Sequence, residues 1–199
     1  MVPLETVGEA AETPENQIRG QSFRSILHAS GEVLGSAARE RVLASLQKQL
    51  KDAFVYGAIV SGGWYPISWY TGLLRSVRAQ APGQPDILRR VAYLSTHEDI
   101  TAVYKFILRL TTPSFVLSHL GRVMDTFIRH SEYDVIERGS GLVRMNVSIP
   151  GATPEMWEDV AGSASAVLMI SGGVDAKVTV RPQNSPASAL MAVEWEEGE

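Results

Sequence analysis

From about residue 132 the spacing of apolar residues changes from a helical period to strict two-residue alternation, and this limits the folds open to the chain. In "YDVIERGSGLVRMNVSIP", Val143, Met145, Val147 and Ile149 alternate with Arg144, Asn146 and Ser148, as in a strand with one buried and one wet face. The Gly-Ser-Gly turn before it makes the pair a hairpin. "TPEMWEDVAGSASAVLMISGG" then predicts a helix headed by Thr153 and Pro154 and closed by Gly172, with Trp157, Val160, Ala161, Ala164, Val167 and Leu168 inward. Alternation returns twice, in Val174, Ala176, Val178 and Val180 and in Ala189, Met191, Val193 and Trp195. The order strand, strand, helix, strand, strand predicts a four-stranded antiparallel sheet with a helix on one face.

The residues before this unit carry helical spacing instead. Residues 1–18 are rich in Glu, Thr and Ala without an apolar period and read as a flexible leader. In "QSFRSILHASG", Phe23, Ile26 and Leu27 predict a helix that Gly31 ends. A second, long helix is expected from Ser36 as N-cap, burying Val42, Leu43, Leu46, Leu50 and Phe54 on one face. A glycine-punctuated connection leads to a helix from Pro66 to about Arg78, and "QAPGQP" breaks the chain again. A helical stretch from Asp86 is expected to be interrupted at "LSTHED", where Ser95 and Glu98 have capping-box spacing. Thr112 and Pro113 head a further helix whose buried stripe is Val116, Leu120, Val123, Met124 and Phe127. The fold class is therefore α+β: a helical layer, residues 19–131, leaning on a ββαββ unit, residues 132–199, as one domain.

Composition removes several function classes. The chain has no cysteine, so disulfides, thiolate metal sites and cysteine nucleophiles are excluded. A net charge of -4 offers no general attraction to a nucleic-acid backbone. No apolar run approaches the roughly 20 residues of a membrane span, and the acidic N-terminus lacks the pattern of a secretory signal. A cytoplasmic protein is expected. There is no Gly-x-Ser-x-Gly elbow, no phosphate-cradling loop and no His-Glu-x-x-His pair, and no motif calls for a cofactor. "GSGLVR" and "SGGVD" fall at turns entering strands, where a helix N-terminus to bind phosphate is missing.

Two stretches carry candidate chemistry. "WYPISWY" packs Trp64, Tyr65, Trp69 and Tyr70 into seven positions of a chain with 8% aromatics. Such side chains line organic-ligand pockets and partner surfaces, and they also fill cores. With Phe115 and Met124 they form the candidate contact set for a small apolar ligand or a protein partner. The second stretch is "STHED", whose His97, Glu98 and Asp99 splay about 100° apart on a helix and cannot converge. It reads as a helix start. The leading expectation is a non-enzymatic sensory or interaction module acting as a homodimer or binding a ligand between helices and sheet. The alternative is an enzyme using His97 or His119 with Glu98 or Asp125. A third class, a structural subunit of a homo-oligomer, would use the "AGSASA" helix or an unpaired terminal strand.

The segments "GGWYPISWYTGLL", "YKFILRLTTPSFVLSHLGRVMDTFIRHSEYDV" and the closing "MAVEW" resemble an uncharacterised paralogous family of myxobacteria over residues 20–196. By order of helices and strands, that family is similar to the superfamily of 4-vinyl-reductase domains, haem nitric-oxide-binding domains and TRAPP tethering subunits. The resemblance implies a helical layer on an antiparallel sheet, often a small or lipid-like ligand between them, and dimers. Two departures stand out. The cysteine pair often found before the last strand is replaced by "RPQNSPASALMAVEW", and the Tyr-x-Ser-x-Arg signature of the haem sensors has only "YLSTH" as its counterpart, with His97 in place of arginine. Haem binding is accordingly not expected, and neither is a thiol-based role.

Overall fold

The computed structural model of the protein describes residues 15–100 and 111–197. Its C-terminal part is the expected ββαββ unit. β3 (Glu132–Gly139) and β4 (Leu142–Ser148) form the hairpin, helix α8 (Pro154–Ile170) crosses the sheet, and β5 (Gly173–Pro182) and β6 (Ser188–Glu197) complete it. All pairings are antiparallel in the order β3-β4-β6-β5. The terminal strand β6 is thus an inner strand paired on both sides, and the edges are β3 and β5. Cross-strand partners Val143 and Val193, Met145 and Met191, and Val147 and Ala189 are all buried, so the alternation read from sequence is the core-facing register. Val174 departs from the pattern. A register shift between Val174 and Lys177, with Asp175 at φ 48°, turns it outward, 47% exposed.

Helix α8 packs on the sheet and on α5 (Ile87–Asp99). The two helices approach closely at Gly162, where an added Cβ would stand 2.3 Å from the Arg89 carbonyl oxygen. The other helices are α1 (Gly20–Leu34), α2 (Ser36–Ser45), α3 (Lys48–Val55), α4 (Ile67–Ala79), α6 (Pro113–Ser118) and α7 (Leu120–Met124). One contiguous apolar core joins Phe23, Leu73, Leu74 and Val91 of the helices to Met145, Ile149, Met156 and Met191 of the ββαββ unit.

Several local expectations are corrected. Helix α1 runs through Gly31 to Leu34. The long second helix is two helices, α2 and α3, separated by extended backbone at Leu46 and Gln47; the turn keeps Val42, Leu46 and Leu50 buried on both sides of the break. Gly35, not Ser36, is the N-cap of α2. Pro66 ends a strand and caps α4 rather than beginning it. Helix α5 continues through "LSTHED", and Ser95 Oγ donates back to the Ala92 carbonyl instead of capping a new helix. Thr112 does cap α6, accepting from the Phe115 N–H at 3.2 Å. That helix, however, breaks at His119, leaving Val123 and Phe127 48% and 36% exposed. Residues 1–14 of the expected leader lie outside the described residues. Gln17 and Ile18, placed in the leader by sequence, belong to strand β1 (Gln17–Arg19), and Ile18 is 1% exposed. Among the described residues no helix is long and apolar enough to cross a membrane.

Candidate functional site

The aromatic run is organised by a short ribbon that sequence did not anticipate. Strand β1 pairs with β2 (Trp64–Pro66) in the register Gln17 with Pro66, Ile18 with Tyr65 and Arg19 with Trp64. Three-residue strands have no readable period, so nothing in "NQIR" announced one. The 58–66 loop is then closed onto α1 by Gly20 N–H to Gly63 C=O at 2.9 Å and Gln21 N–H to Ser61 C=O at 3.0 Å. Tyr65 locks the loop from inside. Its hydroxyl donates to the Ala58 carbonyl at 2.6 Å and accepts from the Val60 N–H at 2.9 Å. An added Cβ at Gly20 would lie 2.1 Å from the Val60 carbonyl oxygen, so only glycine fits this contact.

The four aromatics therefore divide. Tyr65 stacks on Trp69 at 6.3 Å, and the Phe23 ring meets Tyr65 and Tyr70 edge-on at 5.7 and 5.1 Å. These rings pack as core. Trp64 is partly exposed and lies under two guanidiniums, Arg19 at 4.3 Å and Arg129 at 4.5 Å from the ring centroid. Of the two remaining candidate contacts, Phe115 is 54% exposed on α6 and packs on His119 at 4.4 Å, while Met124, half-buried, packs against the core from α7.

Tyr70 is buried, and its hydroxyl donates to Asp159 Oδ2 at 3.1 Å across the α4–α8 interface. Asp159 Oδ1 has no partner among the described residues. Burial away from water disfavours the carboxylate and pushes Asp159 up to about 7, against which the Tyr70 hydrogen bond works. Burial, reinforced by the facing Asp159 charge and by Asp99, holds the Tyr70 hydroxyl well above the usual tyrosine range.

A second polar grouping sits in the open. Helix α1, the α2–α3 layer and the end of α5 border a cleft of about 640 Å³ lined by Arg24, Ser25, Leu27, His28, Arg39, Phe54, Ile59, Glu98 and Asp99. Its chemistry is visible from the hydrogen bonds. Asp99 Oδ1 accepts from Ser25 Oγ at 2.7 Å and Gln21 Nε2 at 2.9 Å, and His28 Nε2 faces Glu98 at 3.8 Å. Arg24 and Arg39 have no ion-pair partner among the described residues. Nothing in the linear sequence pairs His28 with Glu98. What joins it to Glu98 is the packing of α1 on α5, which linear spacing does not carry.

The alternative catalytic pairs do not form. Glu98 faces His28 rather than His97, whose ring stacks on Tyr93 at 6.1 Å. His119 Nδ1 lies 2.9 Å from the Phe115 carbonyl oxygen, and neither His97 nor His119 has a carboxylate within ion-pair distance among the described residues. Ser25 Oγ donates to Asp99 Oδ1 and accepts from Gln21 Nε2, with no hydrogen bond to an imidazole among the described residues, so the serine–histidine pair of an activated nucleophile is not formed there.

No protein-family model matches the chain, and no curated protein matches it in sequence. Solved structures do match in fold. The unliganded Fe(II) H-NOX protein from K. algicida superposes with a TM-score of 0.67 at 13% identity, covering 91% of this chain and 98% of that one. An oxygen-binding H-NOX domain related to soluble guanylate cyclases gives 0.63 at 10% identity, covering 90% and 96%. The IWP-051-bound H-NOX from Shewanella woodyi in the Fe(II)CO state gives 0.62 at 12%, covering 88% and 93%. The chain has an H-NOX-like fold. The chain has no cysteine to ligate a haem iron. Of its four histidines, His28, His119 and His130 are exposed and His97 is half-buried against Tyr93, each in a separate segment. Nor do the described residues gather three or more His, Cys, Asp or Glu into a possible metal site.

Proposed function

We propose that the chain is a non-enzymatic sensory or interaction module of H-NOX-like fold that takes a small organic ligand without haem. The observation that carries this reading is the cleft of about 640 Å³, where apolar Leu27, Phe54 and Ile59 stand beside Arg24 and Arg39, which have no ion-pair partner among the described residues. That mixture suits a ligand with an apolar body and an acidic group. The helix–sheet interface, expected from sequence to hold an apolar ligand, is occupied by Phe23, Tyr70, Leu74, Met145, Ile149 and Met156, each at most 3% exposed. The aromatic cluster supports the cleft indirectly, because Tyr65 fixes the loop that carries Ile59. Sensory use is consistent with the H-NOX proteins of similar fold, two of which hold dioxygen or a bound small molecule.

Native mass spectrometry of the full chain is the test, with Arg39→Gln and Phe54→Ala in parallel. Excess mass retained by the wild type and lost in both variants supports the cleft. Bare wild-type chains that also show no thermal shift across a panel of amphipathic carboxylic acids overturn it. A second reading, homodimerisation, is favoured by exposed Val55, Tyr56 and Val60, which are 64%, 82% and 53% exposed beside the cleft. Light scattering that reports a monomer at tens of micromolar, a concentration at which a specific interface would associate, removes it.

A further inference from the structure

We propose that Arg19 and Arg129, the two cations gathered at Trp64, form a binding site for a phosphate group. The site follows from topology. Arg19 is the cross-strand partner of Trp64 on the β1–β2 ribbon, which puts its guanidinium over the indole. On the other flank of β1, Ile18 bridges Ile128 and the Arg129 N–H donates to the Gln17 carbonyl at 3.0 Å. That contact brings the Arg129 guanidinium to the same ring. Three segments distant in sequence thus deliver two cations to one aromatic.

The two cations are held differently, and neither has an ion-pair partner among the described residues. Arg19 spends Nε on the Thr126 carbonyl at 3.2 Å and Nη1 on the Gly62 carbonyl at 2.7 Å, which fixes its plane and leaves Nη2 without a hydrogen bond among the described residues. Arg129 is exposed, and its guanidinium makes no hydrogen bond among the described residues. No described carboxylate lies within ion-pair distance of either, although Asp125 and Glu132 are close in sequence. The centroid distances place the guanidinium carbons within about 9 Å of each other, where like charges repel. A bound anion relieves that repulsion. A carboxylate satisfies one guanidinium fork; a phosphate dianion has the oxygens and the charge for two. The chain as a whole is acidic, at -4, so the cationic spot is local rather than part of a general basic surface.

The experiment titrates the full chain with inorganic phosphate and, separately, with vesicles containing phosphatidic acid, following tryptophan emission and the 15N side-chain signals of arginine. Saturable binding of phosphate that shifts the Arg19 and Arg129 signals is expected, with affinity reduced about tenfold in Arg129→Gln, which loses one charge-assisted partner. The exposed Arg138→Gln is the control and should bind as wild type. Binding of free phosphate together with vesicles points to a lipid headgroup, and binding of phosphate alone points to a soluble phosphate ester. Equal affinity in wild type and Arg129→Gln, equal losses in Arg129→Gln and Arg138→Gln, or no saturable response to either probe overturns the site. Arg129 is exposed and outside the core, so the variant is expected to fold, and its circular dichroism checks this. The cleft variants Arg39→Gln and Phe54→Ala should leave phosphate binding unchanged, which separates this site from the ligand cleft.

Discussion

The surroundings of Tyr70 and of His28 are both polar groupings on the helical layer, and they differ in the one variable that decides what a polar group does. Asp159 and Tyr70 are buried, so every unmet hydrogen bond there acts against the fold. His28 and Glu98 have side chains 65% and 42% exposed and lie 3.8 Å apart, so water screens their attraction and the fold depends little on it. Groups of the first kind hold helix α4 to α8. Groups of the second kind are free to exchange water for a ligand. A polar cluster is thus informative about function mainly where the fold does not consume it.

The comparison can be broken most forcefully through the core that encloses Tyr70. Phe23 is fully buried and touches both Tyr65 and Tyr70, so Phe23→Ala should cost about 3–5 kcal/mol. Urea unfolding would measure it, and a loss below about 1 kcal/mol would mean that the rings are not a packed unit. Next in size is Gly162→Ala. With Arg89 O only 2.3 Å from the new Cβ, α5 and α8 must separate, at about 1–3 kcal/mol. An unchanged midpoint would show that the interface can give.

The buried pair itself yields a pH signature. Because Asp159 titrates at about 7 when folded against 3.8 ordinarily, its contribution to stability is fully present below about pH 4 and is lost as pH rises through 7. Asp159→Asn should therefore flatten the decline in denaturation midpoint between pH 5 and pH 8. Tyr70→Phe should steepen it by removing the hydrogen bond that favours the carboxylate, and should cost about 1–3 kcal/mol near neutrality. Parallel pH profiles in all three proteins would refute the assignment. The smallest effect belongs to the cleft, where His28→Ala should change stability by no more than about 0.5 kcal/mol. A loss above about 2 kcal/mol would mean that the fold depends on His28 as it does on Tyr70.

How much of this was legible in the residues depended on whether the signal was periodic or assembled. The inward set Val143, Met145, Val147, Ala189, Met191, Val193 and Trp195 was readable because strand faces alternate at a fixed interval and every member is buried. The breaks at Leu46 and His119 were not, since neither carries the proline or glycine that marks a stop. The false restart at Ser95 shows the converse. A capping-box spacing was overridden because α5 lies along α8 and keeps Ile87, Leu88, Val91 and Ala92 buried as one continuous face.

For the candidate sites the division is sharper. The crowding of Trp64, Tyr65, Trp69 and Tyr70 was evident, but the separate duties of the four rings were not. They depend on Gly20, Gly63 and a three-residue ribbon that pairs segments more than forty residues apart. By itself the sequence determined the α+β class, the antiparallel sheet with its covering helix, and the absence of thiol chemistry, because these rest on local periodicity and composition. Only the tertiary structure decided that His28 meets Glu98, that Tyr70 meets Asp159, and that Arg19 and Arg129 share one indole. Those contacts join distant segments through packing, and no local pattern encodes which segments meet.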